Sequence, residues 1–239
     1  MLRLTRPKQS LRGTAHCVTP SEKQIRWPLY ETVVECNSRF METDRRSELL
    51  GKIVEDLLAG GAAELSLRPL AERVGSSARL LIYHFESKEE LVAAALSEVR
   101  RHIGASLFAR AAQARPQTLR DLMTMVWDWA TEAPNQRYFR LLFEVDGLAM
   151  FDRLNFSDEV RRANSAVWID LIDRAAGRLT QGGDLFSTHS TLMLATFTGL
   201  LQDFLSTGDR ARTTQALHAL VDLISQGASA PARTQGRLS

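Results

Sequence analysis

Between Ser66 and Lys88 stand four cations, Arg68, Arg73, Arg79 and Lys88, against two carboxylates, Glu72 and Glu86. A guanidinium carries a planar fork of donors that matches a phosphate, a carboxylate or the O6 and N7 edge of guanine, whereas an ammonium acts as a point charge. Polyanion recognition is therefore a chemistry open to this stretch. The surplus is local: over 41–93 acidic residues outnumber basic ones, and the whole chain of 239 residues balances 30 Lys+Arg against 28 Asp+Glu for a net +2. The field of the entire molecule selects no partner, so any charge-driven binding must come from this patch.

Catalytic and metal chemistry find little support. The sequence has no HExxH, no Cys/His cluster, no P-loop and no G-x-S-x-G elbow, and its 5 histidines are separated from one another. Gly60-Gly61 is preceded by no strand and followed by no GKS or GKT, so it reads as a helix stop. No enzyme, cofactor or metal is expected. The 2 cysteines, Cys17 and Cys36, fit a reducing compartment better than a bridged secreted scaffold. No run is long and apolar enough for a membrane helix, and the basic start MLRLTRPKQSLRGTAH lacks the apolar run of a secretory signal. A soluble, cytoplasmic protein without a membrane partner is the expectation.

The elements that position the cations read as helices throughout, with no alternating run that calls for a sheet and no internal repeat. Residues 1–40 hold seven Lys or Arg, three Glu and no sustained period; they are expected to be a disordered basic arm or to precede a natural start at Met41. A first helix is predicted over about 45–59 from the Leu49, Leu50, Ile53, Leu57, Leu58 stripe. Ser66 precedes LRPLAERV, a second short helix ending near Gly75, and Ser76-Ser77 offers caps for a third over ARLLIYHF. Ser87 to Glu90 forms a capping box for a fourth helix reaching roughly residue 107. Further helices are predicted over LRDLMTMVWDWATEA, NQRYFRLLFEVDGLAM and SDEVRRANSAVWIDLIDRAAGRL, then over about 187–206 and 210–225, with a polar, flexible tail at 227–239.

A helix, a turn around Gly75 and a second short helix over Ser66–Phe85 have the punctuation of a helix-turn-helix. From Gly75 the chain reads GSSARLLIYHFESKEEL, which resembles the G-V-S-x-x-x-L-Y-x-H-F-x-x-K-x-x-L motif of the TetR family of bacterial transcriptional regulators. The resemblance covers about 45–93 in detail. It implies an all-α fold: an N-terminal three-helix helix-turn-helix DNA-binding domain at 41–93, then an α-helical effector-binding and dimerisation domain at 94–226. Two departures stand out, Ser76 at a position usually apolar and Ile82 where the family commonly has Tyr, with Tyr83 beside it. Carried over residue by residue, Ser77, Ala78, Arg79 and Leu80 face base edges, Arg79 with the fork for guanine. Arg68, His84 and Lys88 touch phosphate, and the hydroxyl contact missing at Ile82 is either lost or taken over by Tyr83.

The resemblance implies a homodimer on a partly palindromic double-stranded operator, with equivalent helices in successive major grooves. The last two helices are expected to build the dimer interface through Phe197, Leu201, Phe204, Leu217, Leu220, Val221 and Ile224. The middle helices concentrate aromatic mass, and Met125, Trp129, Phe139, Phe143, Phe151 and Trp168 are expected to enclose a small, mostly apolar effector, oriented by Arg140, Glu144, Asp146 or His189. The function expected is a ligand-responsive regulator, a repressor. The alternatives are a helical adaptor whose head binds protein and an activator without a small-molecule effector.

Overall fold

The computed structural model describes residues 42–158, 160, 162, 166–170, 172–173 and 186–229. The arm at 1–40, residues 230–239 of the expected tail and much of the stretch after Ser157 lie outside the described residues. Every described element is a helix. α1 (Glu42–Gly60) buries Leu49, Ile53 and Leu57 on one face, with Leu50 and Leu58 half-buried beside them. It stops where foreseen: Gly61 takes φ +76° and its N–H still reaches the Leu57 carbonyl at 2.8 Å.

α2 (Leu67–Arg73) and α3 (Ala78–Phe85) follow. Ser66 holds the N-cap of α2 without a side-chain bond, while Ser77 accepts the Leu80 N–H at 3.2 Å and caps α3. Between them the turn is a Schellman motif. The Ser76 N–H bonds the Ala71 carbonyl at 2.7 Å, the Gly75 N–H bonds that of Glu72 at 3.3 Å, and Gly75 takes φ +69°, a conformation an L side chain rarely adopts.

α4 (Lys88–Ala114) starts on Ser87, whose hydroxyl accepts the Glu90 N–H at 3.0 Å, and outruns the expected end near 107. Nothing in its sequence breaks it before Arg115, which turns left-handed (φ 48°) ahead of Pro116. α5 (Leu119–Thr131) opens on a full capping box between Thr118 and Asp121, and α6 (Ala133–Met150) places Pro134 in its first turn, where the missing N–H costs nothing. α7 (Phe186–Thr207) and α8 (Arg210–Ser229) form the last pair, and α8 extends past the predicted 225.

The head, α1 to α3, does not have a core of its own. One continuous apolar cluster runs from Leu49, Leu70, Leu81 and Phe85 through Leu96, Val99 and Ile103 of α4 to Trp127, Val145, Leu201 and Leu217 of the body. Such an interior packs at crystal-like density and transmits displacement rather than absorbing it. α8 lies against both α7 and α5. Trp127, fully buried, donates from Nε1 to the Thr214 hydroxyl at 2.7 Å and meets the Phe197 ring edge-on at 5.7 Å. Arg210 clamps the same interface from outside, to Asp128 at 2.7 Å and to the Thr131 hydroxyl at 3.1 Å.

Candidate nucleic-acid interface

α3 is short and amphipathic: Leu81 and Phe85 are buried against α1 and α4, which leaves Arg79, Ile82 and Tyr83 outside. Tyr83 is 67% exposed and Ile82 41%. They lie next to each other on the outward side of the helix, where a partner could meet both. Ala78 and Leu80 are half-buried at the helix start, beside Ser77. The Ser77 oxygen serves as the cap, and its O–H remains a donor.

The far end of α3 is fixed by a residue that sequence reasoning missed. Arg46 of α1 donates from Nε to the His84 carbonyl at 3.1 Å, satisfying one of the helix's orphan acceptors, and lays its guanidinium over the Phe85 ring at 4.8 Å. The exit is equally tight. Glu86 takes φ 65° and the Ser87 N–H bonds back to the Phe85 carbonyl at 2.7 Å, a γ-turn of the rare, strained kind that sets the angle between α3 and α4. The His84 ring stands edge-on to Tyr83 at 5.1 Å.

The four cations separate into two kinds. Arg73 grips Asp56 of α1 through two hydrogen bonds, 2.7 and 2.9 Å, and is a structural tie within the head. Among the described residues Arg68 has one ionic contact, to Glu72 at 3.7 Å between well-exposed groups, too weak to hold it from another anion. Among the described residues Arg79 and Lys88 have no ion pair. Lys88 is half-buried as the first residue of α4, with Glu89 and Glu90 in the same turn at the positive end of the helix. The outward set is thus Arg68, Arg79 and Lys88, with Ser77, Tyr83 and His84 around them.

Behind this face, α6 holds the head. The Glu144 carboxylate accepts the N–H groups of Ala62 at 2.8 Å and Ala63 at 3.0 Å, just past the end of α1, and so close that a Cβ on Gly61 would stand 2.6 Å from it. Arg137, two turns earlier on α6, pairs with Glu55 of α1 at 3.0 Å and donates to the Tyr138 hydroxyl, which meets His102 Nε2 of α4 at 3.0 Å. Glu144 was expected to orient a ligand; each of its oxygens accepts a backbone N–H. A recess of about 370 Å³ lies at this junction, lined by Leu57, Leu58, Arg137, Arg140, Leu141 and Glu144 among others, and one of about 550 Å³ lies along α1 beside Arg73.

The six residues expected to form an effector chamber do not come together as one. Trp129 and Phe139 are buried and pack on each other and on Tyr138. Met125 joins Ala111 and Leu122 in a separate cluster. Phe151, just past the end of α6, is 80% exposed, because the helix stops at Met150 and the chain turns outward there. Phe143 and Trp168 are half-buried against the core and remain accessible to a ligand. Arg140 bonds Gln136, Asp146 is exposed, and the side chain of His189 lies outside the described residues.

The expected dimer surface also needs correction. Leu201, Leu217 and Val221 are fully buried inside the protomer, where no partner can touch them, and Phe197 and Phe204 pack on Trp127. Leu220 and Ile224 are half-buried. The open face carries Leu192, Ala195, Gly199 and Gln202 on α7 with Ala216, Ala219 and Leu223 on α8. α7 is apolar nearly all round, so its periodicity could not say which side faced inward.

Residues 55–95 match the family model of bacterial regulatory proteins, tetR family. Among solved structures, a transcriptional regulator from Rhodococcus sp. Rha1 is 22% identical over 78% of this chain and 99% of its own, with a TM-score of 0.59. A TetR-family transcriptional regulator from Cytophaga hutchinsonii is 19% identical over 79% and 98%, TM-score 0.60. The multidrug binding protein EbrR, solved with imidazole, is 20% identical over 79% and 92%, TM-score 0.56. No curated protein matches this sequence.

Proposed function

Given a TetR-type N-terminal domain at residues 55–95 on the all-helical fold of TetR-family transcriptional regulators, we propose that this chain is a cytoplasmic, dimeric, ligand-responsive repressor that is not an enzyme. One observation carries the reading: α3 is capped by Ser77, pinned by Arg46 and γ-turned at Glu86, and it holds Arg79, Ile82 and Tyr83 outward beside the cations Arg68 and Lys88. In this account α3 enters a major groove. Arg79 grips guanine O6 and N7, and Ala78 and Leu80 meet thymine methyls. Arg68, Ser77, Tyr83, His84 and Lys88 follow the phosphates, with the Tyr83 hydroxyl doing what Ile82 cannot.

The open face of α7 and α8 is where a second protomer docks. Leu192, Ala195, Gly199, Gln202, Ala216, Ala219 and Leu223 form its centre, and Phe197, Phe204, Leu220 and Ile224 flank it. Small residues there let four helices pack closely. A small effector between the helices of the body, against Phe143 and Trp168, acts on the operator through α6. Glu144 and Arg137 tie that helix to the head, so a ligand that favours a different α6 position favours a different separation of the two reading helices.

The test is Arg79→Ala. With fold and dimer unchanged by circular dichroism and light scattering, discrimination at one base position of each half-site is expected to fall by about 1–3 kcal/mol, roughly five- to 150-fold in relative affinity. Specificity equal to that of the unsubstituted protein would remove Arg79 from the reading surface.

A further inference from the structure

α4 and α6 cross in the body, tied where the Tyr138 and His102 rings meet with 5.0 Å between centroids. Near that tie on α4, between the fully buried Val99 and Ile103, stands Arg100. Its side chain is half-buried, and its Nε is shut off from water with no hydrogen-bond partner. Asp146 of α6 is the carboxylate whose charge acts on it, yet the two form no ion pair, and desolvation holds the Asp146 carboxyl above its ordinary pKa, which weakens the charge it offers. Burial outweighs that attraction and holds the guanidinium below its ordinary pKa. A buried N–H of a charged group left without an acceptor is a standing cost to the fold, one that a glutamine or leucine at this position would not incur to the same extent.

Two positions on these helices face open space. One turn along α4, a Cβ on Gly104 would meet no atom within 4 Å, and the same holds for Gly147, next to Asp146 on α6. Phe143, one turn before Gly147, is half-buried and gives an apolar wall. We infer that Arg100 anchors a binding site for small monocarboxylates with an apolar body, seated in the seam between α4 and α6 with the carboxylate on the guanidinium and the body against Phe143. A planar carboxylate matches the guanidinium fork, and a single negative charge suits one cation with Asp146 nearby, whereas a doubly charged phosphate would meet that aspartate's repulsion. The inference deepens the effector reading and rests on it for any consequence at the operator, but the binding itself requires no DNA.

The experiment is calorimetric titration of the full-length protein with matched pairs, octanoate against octanamide and 4-phenylbutyrate against its amide. At least one carboxylate is expected to bind tenfold or more tightly than its amide, and Arg100→Gln to erase that preference while leaving the amide's affinity unchanged. Absence of a carboxylate preference in both pairs, or a preference that survives Arg100→Gln, would overturn the site. Should Arg100→Gln fail to fold, the arginine Nε–H signals of the unsubstituted protein, assigned through Arg100→Lys, decide it. The Arg100 signal moves and exchanges more slowly with the carboxylate and not with the amide if the site is right, and is indifferent to both if it is wrong. Arg100-dependent binding that left operator affinity unchanged would fault the effector reading and keep the site.

Discussion

At the scale of the residue, the outward face of α3 was legible because its signals are local. Arg79, Lys88 and the Ser77 cap sit within one short stretch whose punctuation announces its shape, and the structure turns them outward or into cap geometry as the sequence suggested. What could not be read were contacts made across the chain: Arg46 on the His84 carbonyl, 38 residues away, and Glu144 on Ala62, 82 away. A charge pattern shows that an arginine or glutamate exists and not which backbone group it will meet. Ser76 falls between these cases. Its departure from the apolar residue of the family motif is visible in the sequence, and the consequence is a buried hydroxyl oxygen with no partner. Ser76→Ala keeps the backbone bond to Ala71 and removes the orphan, so it is expected to raise stability by about 1 kcal/mol in urea unfolding. A loss of similar size would mean that the hydroxyl is satisfied in solution.

At the scale of the element, helix type and order follow from apolar spacing, and ends follow where a cap or breaker is local. α1 stops at its glycines, and α4 overruns its expected end because only Arg115 and Pro116 can halt it. The Thr118-x-x-Asp121 box was present in the sequence as a capping pattern, yet the apolar run after it was read without it. Hydrogen bonds from the Thr118 hydroxyl first, and then from the Gln117 and Thr118 N–H groups, hold the Asp121 carboxyl below the usual carboxylate range. A folded pKa lower than the unfolded one gives stability that is present above the unfolded value, about 3.9, and is lost as pH falls through the folded one. Asp121→Asn is therefore expected to destabilise the protein at about pH 7, with the gap to the unsubstituted protein closing as pH drops below about 4. Thermal melts of the two across that range check it, and a gap independent of pH would assign the effect to packing. The outward face of α7 was illegible for the opposite reason: the helix is apolar nearly all round, so burial alone separates Leu201, inside, from Leu192, outside.

At the scale of the whole molecule, head and body share one apolar core and two polar ties, Glu144 to the Ala62 and Ala63 amides and Arg137 to Glu55. These ties join α6 to α1 and to the loop just past it. In the proposed dimer, assembly depends on the open face of α7 and α8, and Leu223→Glu, which puts a charge where a partner's helix would pack, is expected to yield monomers by light scattering with unchanged helicity. A dimer that survived it would move the interface elsewhere. The near-neutral charge of +2 leaves operator affinity to a few phosphate contacts per head, so binding should weaken with salt at a slope of about 0.9 in log K per contact. The account's central claim, that two copies of α3 read DNA together, is tested most directly by selecting sites from a random duplex pool with the purified protein and titrating the winner against salt. The expected result is a partly palindromic site with half-site centres about 10 base pairs, or a multiple of that, apart, and a steep salt slope. Recovery of no enriched sequence, or of a single unrepeated half-site bound with little dependence on salt, would contradict it.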